Sequence, residues 1–430
     1  MSGKYYIWTV GCQMNKADSE KLAAGFQRMG LKATDRPERA DIVVLNTCSV
    51  RQHAEDRAYS KLGRVRDVKK KKPDLKVALM GCMVGLKHDD LAARFPYVDA
   101  FARPQHFEPI MDLLDTSSED MGGEFWPTTY AIPEGPTAFV PVVHGCNKFC
   151  TYCIVPYRRG RERSRPIDEI VREVAYLTVH GVKEATLLGQ TVEAYGHDLP
   201  GEPDLGDLMR ELSELERLER IRFLTSYPKD MTHRILEAVA ALPKVMESFS
   251  LPVQAGSDAV LESMRRGYTR QEYVDKVREV RELMPDAGIT TDVIVGYPGE
   301  TERDFEETCE LLEELRFDKV HVAAYSPRPG TIAWRKMPDD IPADVKAERL
   351  HRVEAIEHRI SQELNDAYVG TTQRVLVEGF RGGQAFGRTR TGKLVHIDTP
   401  VREGEMVDVQ IAHAGPFSLR GEVEDALVMV

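Results

Sequence analysis

The chain lacks any run of about 18 apolar residues, so the sequence offers no membrane-spanning helix. Its first residues, MSGKYYIWTVGC, hold one lysine and a short apolar stretch, not the cleavable segment of a secreted protein. Both absences predict a cytoplasmic protein that makes no membrane contact. Positive charge is not in excess. With 58 Lys and Arg against 69 Asp and Glu, the formal net charge is −11. That balance speaks against indiscriminate nucleic-acid binding and requires local basic patches for any polyanionic partner. Cysteine is scarce, at seven residues, and in a reducing compartment thiols are more often ligands or nucleophiles than disulfides. No Ser/His or carboxylate catalytic set stands out. What remains is ordinary: 430 residues, 42% hydrophobic and 30% charged, suggest two or three globular domains.

The scarce cysteines are not scattered at random. Gly145-Cys146-Asn147-Lys148-Phe149-Cys150-Thr151-Tyr152-Cys153 places three thiols within eight residues, and no fourth follows. A structural zinc site wants four closed ligands, and a cubane iron–sulfur cluster takes one ligand per iron. Three protein ligands leave one iron open to a small molecule, which suggests reaction chemistry. A distorted zinc knuckle borrowing His144 is the plainer alternative.

Three further cysteines each end an apolar run: Tyr5 to Val10 before Cys12, Ile42 to Leu45 before Cys48, and Val77 to Met80 before Cys82. They lie 36 and 34 residues apart, with helical patterns from Ser19 to Met29 and Gln52 to Val68 between them. Strand–helix units of a parallel sheet need roughly 30 residues or more, and buried parallel strands read as continuous apolar runs. Each thiol then sits past a strand's carboxyl end, where ligand sites of open α/β sheets collect. Three packed, inert cysteines are the alternative; thiols in all three turns favour a shared cluster, again one ligand short. Cys309, in helical register with Phe305 and Leu312, reads as core.

A proline-rich stretch, PTTYAIPEGP (127–136), suggests a linker, giving domains 1–135, 136–365 and 366–430. The middle region alternates strands (Ala138–Val143, Ala185–Leu188, Ile221–Leu224, Ser248–Val253, Thr290–Val295, Lys319–Tyr325) with helices such as Ile167–Val179, Arg270–Leu283 and Glu302–Glu314. Six such units suggest a partial or full parallel barrel with its chemistry at the carboxyl edge. The Cys146–Cys153 loop follows the first of these strands. Polar groups follow others: Gln190, Thr191 and Glu193, then Ser226, then Gln254 and Ser257. Asp292 lies within a strand, facing the lumen or a partner. A long amphipathic helix over 342–365 either closes the barrel or carries the next domain.

From 366 onward, five short alternating strands suggest a small barrel of the oligonucleotide-binding type. Arg381, Phe386, Arg388, Arg390 and Lys393 interleave cations with an aromatic, a means of gripping RNA, although Glu422, Glu424 and Asp425 oppose it. The run from Arg158, Arg159 and Arg161 to Arg165 begins five residues past a thiol, so phosphate contact there would bring RNA to the reacting centre.

Together the motifs GCQMN, NTCSVR, GCM, GCNKFCTYCIVPYRRGRERSRP, LLGQTVEAYG, TSYPKD, LPVQAGSD, DVIVGYPGET and YSPRPGT cover essentially the whole chain. In them the sequence resembles the radical S-adenosylmethionine (SAM) methylthiotransferases, most closely the tRNA-modifying MiaB-type branch. Residues 191 and 193 depart from that branch's pattern, which usually has asparagine at both. The resemblance implies an N-terminal α/β domain, a radical-SAM (β/α) partial or full barrel and a C-terminal TRAM barrel. It implies a 4Fe-4S cluster on Cys146, Cys150 and Cys153 that splits SAM, and an auxiliary 4Fe-4S cluster on Cys12, Cys48 and Cys82 with room for added sulfur. One SAM would methylate that sulfur; a second would yield a deoxyadenosyl radical that takes hydrogen from C2 of an isopentenyladenosine beside the anticodon. It further implies SAM contacts from Tyr152, Gln190, Ser226, Gln254, Arg266 and Asp292, and RNA contacts from Arg158, Arg159, Arg161, Arg165, Arg388 and Arg390. The partners implied are the tRNA anticodon stem-loop, an electron donor such as flavodoxin or ferredoxin, and a sulfur or iron–sulfur carrier; the chain itself is expected to be a monomer. Catalytic groups beyond the thiols stay unassigned. Sister branches act on threonylcarbamoyl-adenosine in tRNA or on an aspartate of a ribosomal protein.

Overall fold

The computed structural model describes residues 3–49, 52–85, 88–114 and 130–424. Residues 127–129 of the proline-rich stretch, Val50 and Arg51 of NTCSVR, and Asp425 lie outside them. The chain divides into two compact units. One holds residues 1–133, 139–149 and 153–165; the other holds 134–138, 150–152 and 166–430.

The first unit is built on a parallel sheet in the order β2-β1-β3-β4-β5, from β1 (Lys4–Thr9), β2 (Lys32–Ala33), β3 (Ile42–Thr47), β4 (Lys76–Gly81) and β5 (Ala100–Ala102). Successive side chains of a strand point to opposite faces, and both faces here are covered. Ile42, Val44, Ala78 and Met80 pack with Leu22 and Phe26 of α1 (Gln13–Arg28). Val43, Leu45, Val77 and Leu79 pack with Leu62 and Val65 of α2 (Gln52–Lys71). Two short helices, α3 (Asp89–Arg94) and α4 (Glu108–Asp112), flank β5. Helix α1 starts six residues before the expected Ser19, because its first turns bury polar Asn15 and Asp18, which an apolar periodicity does not register. The unit also contains the antiparallel pair β7 (Val143–His144) and β8 (Arg163–Ser164), and α5 (Val155–Arg159).

The second unit carries two parallel sheets. Strand β6 (Thr137–Pro141) starts beside β9 (Glu184–Leu188), where the Lys183 and Glu184 amides donate to the Pro136 carbonyl. Next come α6 (Ile167–Val179), α7 (Leu205–Ser213) and β10 (Arg220–Leu224), parallel to β9. After α8 (His233–Ala241), β11 (Ser248–Ser250) pairs with β12 (Gly288–Val295), and β12 with β13 (Lys319–Ala324), all parallel. The Ile221 amide donates to Lys244 O and the Met246 amide to Ile221 O, joining the two sheets into the sequential order of a partial barrel. Helices α9 (Asp258–Ser263), α10 (Arg270–Leu283) and α11 (Glu302–Leu315) run between these strands. Thr269 and Glu272 cap α10 reciprocally, as Thr301 and Asp304 cap α11, satisfying amides that a helix start leaves free. Strand β11 stops three residues short of the expected Val253, and the chain then turns at Gln254, whose φ is 79°. Cys309 is buried in α11, as expected of core.

Helix α12 (Ile332–Lys336) and the 24-residue α13 (Ala343–Asp366) lead to a closed barrel. Its strands are β14 (Thr372–Arg381), β15 (Gln384–Thr389), β16 (Leu394–Ile397), β17 (Met406–Ala414) and β18 (Leu419–Val423), ordered β14-β15-β16-β18-β17. All neighbours are antiparallel except β16 and β18. Among the described residues no helix is long and apolar enough to cross a membrane.

Candidate functional site

In the first unit, Cys12, Cys48 and Cys82 follow β1, β3 and β4 directly, as the sequence predicts. Polar side chains lock the three turns together. Asn15 Nδ2 donates to Val10 O (3.1 Å) and Thr47 O (3.0 Å), and Asn46 Nδ2 donates to Asn15 O (2.8 Å). Ser49 Oγ donates to Cys82 O (2.8 Å), and the Cys82 amide to Thr47 O (2.8 Å). Two turns have no room for a side chain. A Cβ on Gly81, at φ +95°, would lie 2.4 Å from Thr47 O, and one on Gly11, at φ +136°, would lie 2.9 Å from Cys48 Cβ. Only glycine takes these conformations freely.

Cys48 and Cys82 are buried, while Cys12 is exposed. Burial pushes the Cys82 thiol up to about 11; the nearby Arg159 guanidinium opposes this, and Cys12 and Cys48 add to it. Among the described residues no three His, Cys, Asp or Glu side chains are grouped to hold a single metal ion. Arg159, from α5, is buried in the same unit. Its Nη2 donates to Asn15 Oδ1 (2.8 Å) and Asp18 Oδ2 (3.3 Å). Burial raises the Asp18 carboxyl, with Arg159 pulling the other way. His144, also buried, is held well below the usual imidazole range, first by burial and then by Arg159, His106 and Arg103.

Cys146 and Cys153 fall in the first unit and Cys150 in the second, within one loop. Gly145, at φ +81°, admits no side chain, because a Cβ would sit 2.0 Å from Arg161 O. Its neighbour Cys146 accepts the Lys148 amide (3.5 Å). In the second unit, Arg266 Nη1 donates to Cys150 Sγ (3.5 Å) and Tyr152 OH (3.3 Å), and its Nη2 to Pro252 O (2.7 Å). Tyr227 and Tyr268 lie 4.7 and 5.2 Å from the guanidinium. Burial alone would weaken this cation; the surrounding Tyr and Cys150 hold its pKa well above the usual range. Thr151 Oγ1 bonds Tyr297 OH (2.7 Å) and donates to Ser263 O (2.9 Å).

Of the six residues expected to meet SAM, two pairs are joined, the first through side chains and the second through the backbone. Arg266 meets Tyr152, and the Gln254 amide donates to Asp292 O (2.8 Å). Gln190 and Ser226 lie past the ends of β9 and β10. Beside Ser226 is Glu193, fully buried, whose Oε2 accepts the Tyr227 amide (3.0 Å) and whose Oε1 has no hydrogen-bond partner. Burial pushes its carboxyl up to about 8.

The cations expected on RNA divide. Arg161 is exposed and stacks on Phe149 at 4.7 Å, and Arg158 is half-buried. Arg159 and Arg165 are buried instead, Arg165 donating to Pro141 O (3.0 Å). In the C-terminal barrel Arg388 pairs with Glu378, and Arg390 with Glu247 at 3.1 Å. Lys393 pairs with Asp318 at 2.6 Å. Two of these pairs, with Arg220 donating to Arg388 O and Thr389 O, fasten the small barrel to the strands before it. Phe380 and Arg381 stay exposed.

Sequence reasoning quoted Asn15 and Asn46 inside motifs but gave them no role. Their signal was available: an amide in the first turn of α1 and another near the end of β3, a strand that is otherwise mostly apolar. Arg159's position was not legible.

Comparison with known proteins agrees with this layout. The Radical SAM superfamily model matches residues 140–312, Uncharacterized protein family UPF0004 matches 4–102, and the TRAM domain matches 366–423. A protein of Roseiflexus sp. (strain RS-1) named tRNA-2-methylthio-N(6)-dimethylallyladenosine synthase is 47% identical over 423 residues, covering 97% of this chain and 89% of its own. This chain belongs to that family. Proteins of the same name from Chloroflexus aurantiacus and Dehalococcoides mccartyi (strain CBDB1) are 45% and 43% identical, over 97% and 98% of this chain and 91% and 99% of theirs. Among solved structures, the radical SAM methyltransferase TsrM of Kitasatospora setae, with cobalamin and a [4Fe-4S] cluster bound, superposes with a TM-score of 0.57 at 13% identity. That match covers 87% of this chain and 81% of TsrM and concerns the fold alone.

Both thiol sets of this tRNA-2-methylthio-N(6)-dimethylallyladenosine synthase family member suit the iron–sulfur clusters of a radical SAM enzyme. Each set supplies three soft donors; Cys12, Cys48 and Cys82 share their unit with Arg159, whose buried Nη1 has no hydrogen-bond partner, and Cys150 accepts from the buried Arg266. A thiolate–cluster assembly is anionic, so a fixed cation inside the protein matches it.

Proposed function

We propose that the chain transfers a methylthio group to C2 of isopentenyladenosine next to the anticodon of tRNA. The observation that carries this is the division of its thiols: every cysteine but Cys309 belongs to one of two three-member sets, each short of a closed ligand shell. The relatives' shared name favours this substrate over a ribosomal-protein aspartate or threonylcarbamoyl-adenosine.

In this reading Cys146, Cys150 and Cys153 hold the 4Fe-4S cluster that binds SAM, and Cys12, Cys48 and Cys82 hold the auxiliary one. When bound, these groups supply the one-electron and sulfur chemistry that attack on an unactivated aromatic C–H requires. The protein's own residues position and enclose. Arg266 fixes Cys150 and Tyr152 through one guanidinium and ties that loop to Pro252, two residues before Gln254. The backbone bond from the Gln254 N–H to Asp292 O holds the turn after β11 against β12, beside which a SAM amine or carboxylate would be met. The target base must leave its stack, which costs a few kcal/mol and is cheapest in a loop such as the anticodon's. Arg161 on Phe149, and Arg381 over the Phe386 ring at 5.5 Å, are cation–aromatic pairs available to RNA.

The chemistry consumes electrons and sulfur, so an electron donor such as flavodoxin or ferredoxin and a sulfur or iron–sulfur carrier complete the proposal. A monomer working in the cytoplasm fits a tRNA substrate. Family-model spans of 4–102, 140–312 and 366–423 support domain boundaries near 135 and 365. Anaerobically reconstituted protein, given tRNA lacking only the methylthio group, should bind about eight irons and form the methylthio base. Methylthiolation of a ribosomal-protein aspartate, or of threonylcarbamoyl-adenosine tRNA alone, would overturn it.

A further inference from the structure

We propose that Arg159 is a positioning residue for the N-terminal thiol set, its buried charge favouring an anionic cluster on Cys12, Cys48 and Cys82. This rests on reading those cysteines as auxiliary-cluster ligands.

Arg159 ends α5, which starts two residues after Cys153, so the chain runs directly from one thiol set to the cation serving the other. Its side chain is 2% exposed, in the interior of the unit that holds Cys12, Cys48 and Cys82. One face of the guanidinium is used: Nη2 donates to Asn15 and Asp18. Asn15 is the residue whose amide ties together the turns before Cys12 and Cys48. Nη1 is buried and has no hydrogen-bond partner. Of the groups acting on the guanidinium, the Cys82 sulfur comes first, then Asp18, then the Cys12 sulfur.

Burying an arginine with one incomplete partner costs several kcal/mol. Asp18 offsets this only in part, because burial favours its neutral form. Protonated thiols leave the cation under-compensated, whereas thiolates on a metal–sulfur cluster supply the missing negative charge. A fixed positive charge near such a cluster also stabilises its reduced form, raising its potential, as hydrogen bonds and charges around cluster sulfurs generally do. Phosphate contact is not open to a guanidinium this deeply enclosed.

The test uses the full reconstituted chain, with iron counting and a redox titration followed by electron paramagnetic resonance, the other cluster serving as internal reference. Arg159→Met should either lose about four of about eight irons or shift the auxiliary midpoint negative by about 59 mV, a tenfold change in its one-electron equilibrium. Asp18→Asn, which leaves Arg159 unopposed, should shift it positive, and Arg159→Lys should stay close to the parent. Full iron and an unmoved midpoint in Arg159→Met would overturn the role. So would equal iron loss in all three variants with a matching drop in apoprotein Tm, since that marks packing alone. An unaltered chain holding only about four irons would refute the ligand assignment itself, and is distinguishable from both.

Discussion

Replacing Glu193 by glutamine should stabilise the protein, and by more as pH rises. The carboxyl is fully enclosed, with one oxygen on the Tyr227 amide and the other without a hydrogen-bond partner. Burial raises it from an ordinary 4.5 to about 8 in the fold. Between those values the folded chain keeps a proton that the unfolded chain releases, so the unfolded state binds fewer protons and stability falls with rising pH. Above about 8 both states are ionised and the loss levels off. The full difference corresponds to about 5 kcal/mol, and the part accrued by neutral pH to about 3.5 kcal/mol. Glutamine keeps a carbonyl for the Tyr227 amide and does not ionise. Urea unfolding of parent and Glu193→Gln, compared at about pH 5.5, 7 and 8.5, should show the variant's advantage growing from about 1 to about 5 kcal/mol. An advantage that stays constant across that range would show that Glu193 is ionised in the fold or reached by water, and the reasoning would fail.

Other perturbations have equally definite outcomes. Cys150→Ala should abolish SAM cleavage, read as loss of deoxyadenosine and methionine. Cys48→Ala should retain some SAM cleavage yet give no methylthio product by mass spectrometry of tRNA nucleosides; persistent product would remove Cys48 from the ligand set. Gly81→Ala drives a Cβ to 2.4 Å from Thr47 O at a positive φ, so about four irons should be lost on reconstitution. Gly288→Ala places a Cβ 2.1 Å from Thr391 O, where the small barrel meets β12. It should lower stability by about 1–3 kcal/mol, visible as a reduced thermal midpoint.

Much of the fold was legible because buried parallel strands and amphipathic helices each impose a simple period. Ile167–Val179 and Arg270–Leu283 are helices with those same bounds, and each N-terminal thiol follows its strand as expected. The early start of α1 was missed because its buried face is amide and carboxylate, paired to groups about 30 residues away that local periodicity cannot report. The partners of the arginines expected on RNA were not legible for a related reason. A run of arginines looks alike whether it faces solvent or an acid far along the chain, and Arg390 finds Glu247 143 residues away.

The sequence by itself determined the thiols, their grouping in threes and the strand ends that carry them, because ligand spacing and apolar runs are local. Only the tertiary structure decided which cations lie buried near those thiols and which glycines the turns require. Charge compensation and steric closure depend on what burial brings together: Arg159 lies 144 residues from its partner Asn15, and Arg266 lies 116 from Cys150.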